Sequence, residues 1–167
     1  MHSHKPNKGE KMIVVDIYDS KEGDLLVANS SVCLKGKHGC NILVPKGTFL
    51  EVVRDKSNGN VKISFFRDEK LCLIPLASKS EDLNEFSLVV RSGVVQDLKM
   101  LPSFGSLHLL MVTLSVKHVL ITGNDIVVKS LGPQGDHMIL EIQNGDYRGG
   151  IINVRYNDFF KCFKALN

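Results

Sequence analysis

The chain has 167 residues, 43% of them hydrophobic, and a formal net charge of +3. That much apolar content excludes a disordered chain, and no apolar run reaches the roughly 20 residues that span a bilayer. So mild a positive charge permits contact with nucleic acid without demanding it, and the length suits one domain or two small ones.

Residues 1–11 are polar and carry no apolar signal core, so they are expected to form a disordered tail on a protein that stays in the cytoplasm. β signals follow. Residues 12–18 are rich in β-branched and aromatic side chains, and a polar turn leads into strands expected over 25–28 and 31–34. Gly36, Lys37, His38 and Gly39 break that run. Strands are expected over 48–54 and 60–66 around Asn58-Gly59, a strong hairpin signal. A further strand over 70–76 has Pro75 at its end or on an edge. Residues 77–84 are polar and charged.

β character resumes at 86–90. Residues 94–100 hold a modest helical option ahead of Pro102. Residues 107–114 are nearly all apolar and predict a strand buried on both faces. Strands over 117–121, 125–130, 138–142 and 151–156 complete the set. The tail, 157–166, predicts one amphipathic turn with Phe159, Phe160 and Phe163 packed inward and Lys161 and Lys164 outside.

The chain repeats a pattern. Val32-Cys33-Leu34-Lys35-Gly36, Pro45-Lys46-Gly47, an Asn-Gly turn at 58 and Asp68 are echoed by Val119-Leu120-Ile121-Thr122-Gly123, Pro133-Gln134-Gly135, an Asn-Gly turn at 144 and Asp158. The two Pro-x-Gly triplets lie 88 residues apart. A fixed offset predicts two copies of one unit. The expectation is an all-β protein with minor α content. It would hold two tandem small β-barrel modules from an internal repeat, at 12–78 and 86–167, joined by a linker at 79–85.

The segment from Ile142 through Gly145, Tyr147, Arg148, Gly149 and Gly150 to Val154 resembles the loop of a KOW-type SH3-like barrel. There a strand enters a Gly-containing turn with an aromatic and a basic residue. The resemblance implies contact with RNA, DNA or RNA polymerase. Such a loop suits that use: Arg148 can grip a phosphate bidentately, and Tyr147 offers a stacking face. Arg155 is expected to point outward between inward-facing Val154 and Tyr156, on a surface that Lys161 and Lys164 extend. In the first half Lys35 and Lys37 lie on a Gly-rich loop that could bind an anion, with Lys46 following. Arg54 and Lys62 would enlarge that basic face if they project outward.

Other chemistries find less support. Cys33, His38 and Cys40, with Cys72 as a possible fourth ligand, lack the paired knuckle spacing of structural zinc, so free thiols and no metal are expected. His108 and His118 fall in apolar runs. No Walker loop, nucleophile elbow or His-Glu-x-x-His occurs. The composition, compact and lysine-bearing without catalytic motifs, is similar to that of small phage regulators of transcription. The expected function is therefore non-enzymatic and cofactor-free. It is non-specific nucleic-acid binding, DNA before RNA, in an accessory protein of transcription or host takeover, with RNA polymerase or another host protein as a further partner. The alternative is an inhibitor or adaptor docking on a host protein through Met100, Leu101 and Phe104.

Overall fold

A computed structural model describes residues 13–68, 70–81, 83–116, 119–121 and 125–166. In chain order the first half runs β1 (Val14–Val15), a 3₁₀ turn (Ile17–Asp19), β2 (Leu25–Ala28), β3 (Val32–Lys35), β4 (Asn41–Val44), β5 (Phe49–Arg54), β6 (Val61–Arg67), β7 (Lys70–Pro75), β8 (Phe86–Arg91) and β9 (Val94–Val95). The second half has a 3₁₀ turn (Leu98–Met100), β10 (Leu107–Leu110), β11 (Leu114–Val116), β12 (Val119–Ile121), β13 (Val127–Gln134), β14 (His137–Ile142), β15 (Ile151–Arg155), helix α1 (Tyr156–Cys162) and β16 (Phe163–Leu166). The protein is all-β with a minor helical part. None of the described helices is long and apolar enough to cross a membrane.

The two halves share one strand order. The first sheet contains the path β8-β2-β5-β6-β7 and the second β16-β10-β13-β14-β15. In each, a separate two-stranded hairpin is inserted between the first strand and its second neighbour: β3–β4 in one case, β11–β12 in the other. Both sheets stay open, with no pairing among the described residues that closes either into a barrel.

The phase of the repeat is not the one expected. An offset of 88 sets β5 against β14 and β6 against β15, whereas strand order makes β5 equivalent to β13 and β6 to β14. The Pro-x-Gly triplets do different jobs. Pro45 lies in the turn between β4 and β5, where Thr48 N–H donates to Pro45 C=O. Pro133 lies inside β13 where its register with β14 shifts after Ser130. The bulge suits Pro133, which has no N–H for the ladder, and Gly132, whose φ of 100° is open to glycine.

Local sequence explains the faces. β3 and β4 alternate buried and exposed positions, so Val32, Leu34, Ile42 and Val44 cover one side of the first sheet. They close a core with Leu26, Leu50, Val52, Ile63, Phe65, Phe86 and Leu88. The opposite side of that sheet carries Leu25 and Val90. It packs into a second core with Leu110, Val128, Met138, Leu140, Ile142, Val154, Phe159 and Phe160 from the other half. The first sheet is thus covered by its own hairpin on one face and by the second half on the other.

Residues 77–84 connect β7 to β8 within this one sheet, because β8 pairs with β2. The stretch is fastened at Tyr18, whose hydroxyl donates to Ala77 C=O at 3.1 Å, and by a 3.0 Å ion pair between Lys79 and Asp16. The strand predicted over 107–114 ends at Leu110, and Leu107 is exposed, so it is not buried on both faces.

Candidate nucleic-acid interface

The outer face of the β3–β4 hairpin carries no acid and one lysine, with further lysines in its tip and in the turn that follows. Cys33 and Lys35 point outward on β3, and Asn41 and Leu43 on β4, with Cys33 opposite Leu43 and Lys35 opposite Asn41. The tip turns at Gly36, whose N–H donates to Cys40 C=O at 2.8 Å. A Cβ on Gly36 would meet the exposed Cys40 Sγ, which would have to turn aside to admit it. Lys37 N–H donates to Pro75 C=O and Ala77 N–H to Lys35 C=O, anchoring the tip on the first sheet. Lys46 is exposed in the next turn.

Residues 25–50 contain no Asp or Glu. Lys35 and Lys46 accordingly make no ion pair with a described residue, and Lys37 acts at longer range on Asp55. Hydrogen bonds from Ser57, with smaller contributions from Lys62 and Lys37, hold the Asp55 carboxyl below the usual range. At about 3.3 Å per residue, Lys35 and Lys46 stand roughly 15 Å apart along the hairpin, a span of two or three phosphates.

Two other first-half cations are spoken for. Arg54 donates to the carbonyls of Tyr18, Ser20 and Gly59 and so ties β5 to the first 3₁₀ turn. Lys62 pairs with Asp55 at 3.7 Å.

In the second half Tyr147 and Arg148 occupy an exposed turn. Asn144 pins it, accepting from Val127 N–H at 2.9 Å and donating to Asp125 C=O at 2.6 Å. Arg148 is exposed, and its guanidinium has no hydrogen-bond or ion-pair partner among the described residues. Tyr147 forms one wall of an apolar pocket of about 230 Å³ with Val116, Ile121, Ile142 and Ile152.

Val154 and Tyr156 are buried and Arg155 is outward. Its charge, however, meets Asp158 at 3.4 Å. It also lines a cleft of about 240 Å³ in the company of Glu22, Glu51 and Asp136. Lys164 is exposed on β16.

Lys161 requires a correction. It does not extend an outer basic surface: its side chain is 6% exposed, its ammonium is 2.6 Å from Glu51 Oε1, and it lies 5.9 Å from the centre of the Phe66 ring. The helix is sandwiched between its own sheet and the first one, so its polar side faces a neighbour and not solvent.

The alternative anchor is also divided. Met100 and Leu101 pack against the shared core, while Phe104 is 76% exposed.

His108 is buried, and burial lowers its pKa. Its Nε2 lies 2.9 Å from Ser106 Oγ. That hydroxyl donates to Ser103 C=O at 2.7 Å, so the imidazole must be the donor to it and is no base for activating the serine. His118 lies outside the described residues. Cys33 and Cys40 are exposed free thiols, Cys72 is half-buried and Cys162 buried. Among the described residues no three His, Cys, Asp or Glu side chains converge as metal ligands would.

Arg148, Lys35, Lys37 and Lys46 were all expected from the sequence; the shared strand order was not, and neither was the significance of the absence of acids over 25–50, which is written in the sequence. No family model, no curated protein and no solved structure matches this chain.

Proposed function

We propose that this is a non-enzymatic nucleic-acid-binding protein made of two SH3-like modules. In this reading the outer face of the β3–β4 hairpin holds duplex DNA by its phosphates through Lys35, Lys37 and Lys46, and Arg148 adds a contact from the second module. The observation that carries the reading is the run from residue 25 to 50, which exposes three lysines and no carboxylate. Contacts of this kind position a protein on the backbone without reading bases. Affinity should therefore be similar on unrelated sequences and should fall linearly as log K against log salt. Anisotropy titrations of two unrelated duplexes over a salt series test this. Absent or salt-independent binding would reject it. A role in transcription, with RNA polymerase as a further partner, belongs to the same reading through the KOW-type loop.

A second reading rests on Leu98 and Phe104, both strongly exposed beside the packed Met100 and Leu101. An adaptor would dock a host protein there. Such a protein would be retained poorly on DNA at any salt.

A further inference from the structure

The free edge of the first sheet is complementary to itself. Leu76 N–H donates to Val61 C=O, and Leu76 stands opposite Val61 in the register that pairs Ile74 with Ile63, Cys72 with Phe65 and Lys70 with Arg67. Antiparallel strands alternate bonded and non-bonded pairs. Leu71 and Leu73 therefore turn their N–H and C=O away from β6, toward the open side. Pro75 has the same parity, but it has no N–H and its carbonyl already accepts from Lys37. The hairpin tip thus caps one end of the edge and leaves the rest of β7 without a partner among the described residues.

The side chains add a second observation. Leu71 lies opposite Phe66, and Leu73 opposite Ser64, which is itself opposite Glu51. All five share the face that α1 covers through Lys161, Glu51 and Phe66. Leu71 and Leu73 lie outboard of that cover and are 59% and 54% exposed. They continue the apolar face of an interface already formed between the halves, and such a patch on an open strand invites another strand.

We propose that a second copy of this chain docks there, the two β7 strands pairing antiparallel about a two-fold axis that sets Cys72 opposite Cys72 of the second copy. In that register Leu71 faces Leu73 of the other copy, and every N–H and C=O that these two residues leave free is used. Lys70 faces Ile74, so no like charges meet. A self-matching patch is what an isologous dimer requires. Opposed residues in a non-bonded pair are about 4.5 Å apart at Cα, inside the range of about 4.4–6.8 Å that a disulfide spans. One strand pair is small beside the about 1,200 Å² of a stable interface, so the dimer should dissociate on dilution.

Sedimentation velocity of the whole chain over a concentration series should show monomer passing to dimer. Mild oxidation of the Cys33→Ser/Cys40→Ser variant should trap that dimer through Cys72, and adding Cys72→Ser should abolish the cross-link. Leu71→Lys/Leu73→Lys should leave the circular dichroism unchanged and the protein monomeric. A chain that stays monomeric at the highest concentration overturns the proposal. So does a dimer that persists in the double-lysine variant, or one that Cys72 fails to cross-link. The cross-link is read on the unaltered edge, so it decides the matter even if the lysine variant folds poorly.

Discussion

Lys161 Nζ lies 2.6 Å from Glu51 Oε1, joining a helix near one end of the chain to the middle of the first sheet. Asn157, one turn earlier on the same helix, donates to Glu51 Oε2 at 3.1 Å and to Gly23 C=O at 2.9 Å. Phe160, beside Lys161, meets Phe49 with ring centres 5.2 Å apart. The contact between the halves is therefore both charged and aromatic, and it removes one cation from any outer face.

Lys161→Met should destabilise the fold by about 3 kcal/mol, because it leaves a carboxylate in the seam without its cation. Glu51→Gln/Lys161→Met should recover part of that loss, since the two substitutions share one interaction. Urea midpoints of the single and double variants measure the coupling. Additive losses would show that the pair contributes nothing jointly.

Lys35→Ala/Lys37→Ala/Lys46→Ala should flatten the plot of log K against log salt by roughly three phosphates' worth, and Arg148→Ala by about one. Exposed substitutions such as these should cost no more than about 0.5 kcal/mol of stability. Arg155→Ala should change the slope little, because Asp158 already neutralises its charge. Equal slopes for all these variants and the parent would place the phosphate contacts elsewhere.

Stability should fall as pH drops below about 6.5. Burial lowers the pKa of His108 in the folded protein relative to its ordinary value of 6.5, so the unfolded chain takes up the proton first and folding is penalised. The penalty stops growing below the depressed folded value. The groups against the ring are the Ser106 hydroxyl and Phe159, neither of which offers a negative charge to the imidazolium. His108→Gln should flatten the pH dependence of the melting temperature between neutral pH and the point where carboxylates begin to titrate. An unchanged profile would mean that His108 is not its source.

Native thiol titration should label Cys33 and Cys40 quickly and Cys72 more slowly. Cys162 should react after unfolding, because burial first, with Asp158 nearby, pushes its pKa up to about 12. Labelling of Cys162 at the rate of Cys33 would show that the core shared by the halves opens readily.

What the sequence revealed follows from which signals are local. Turns announce themselves: Asn58-Gly59 does end a hairpin, although its loop is longer than two residues, since Gly59 N–H reaches back to Asp55 C=O. The recurrence of such turns suggested two copies, but the Asn-Gly turns at 58 and 144 are not equivalent, one joining β5 to β6 and the other β14 to β15. A Pro-x-Gly triplet likewise reads alike between two strands and within a bulge. The strand at Phe86–Arg91 was legible as a strand, but its partner β2 lies far back in the chain, and nothing local names a partner. Lys161 was misplaced for a related reason. An amphipathic pattern tells which side of a helix is polar, not whether another part of the chain waits there with Glu51. The lysines of the hairpin were found as residues. Their significance came from the carboxylates missing around them, which is a property of the surface and not of a motif.

The shared core also bears on how the molecule meets a long ligand. Two modules on a flexible tether sample many separations, and the second contact then follows the first at an effective concentration set by that tether. Here Phe49 against Phe160 and Glu51 against Lys161 join the two halves and so set the β3–β4 hairpin and the Arg148 turn at one spacing. A ligand that engages both must match that spacing: it gains the full benefit of a pre-set geometry if it does, and none if it does not. The seam is thus a ruler as well as a joint, and a series of duplexes of increasing length would read its divisions.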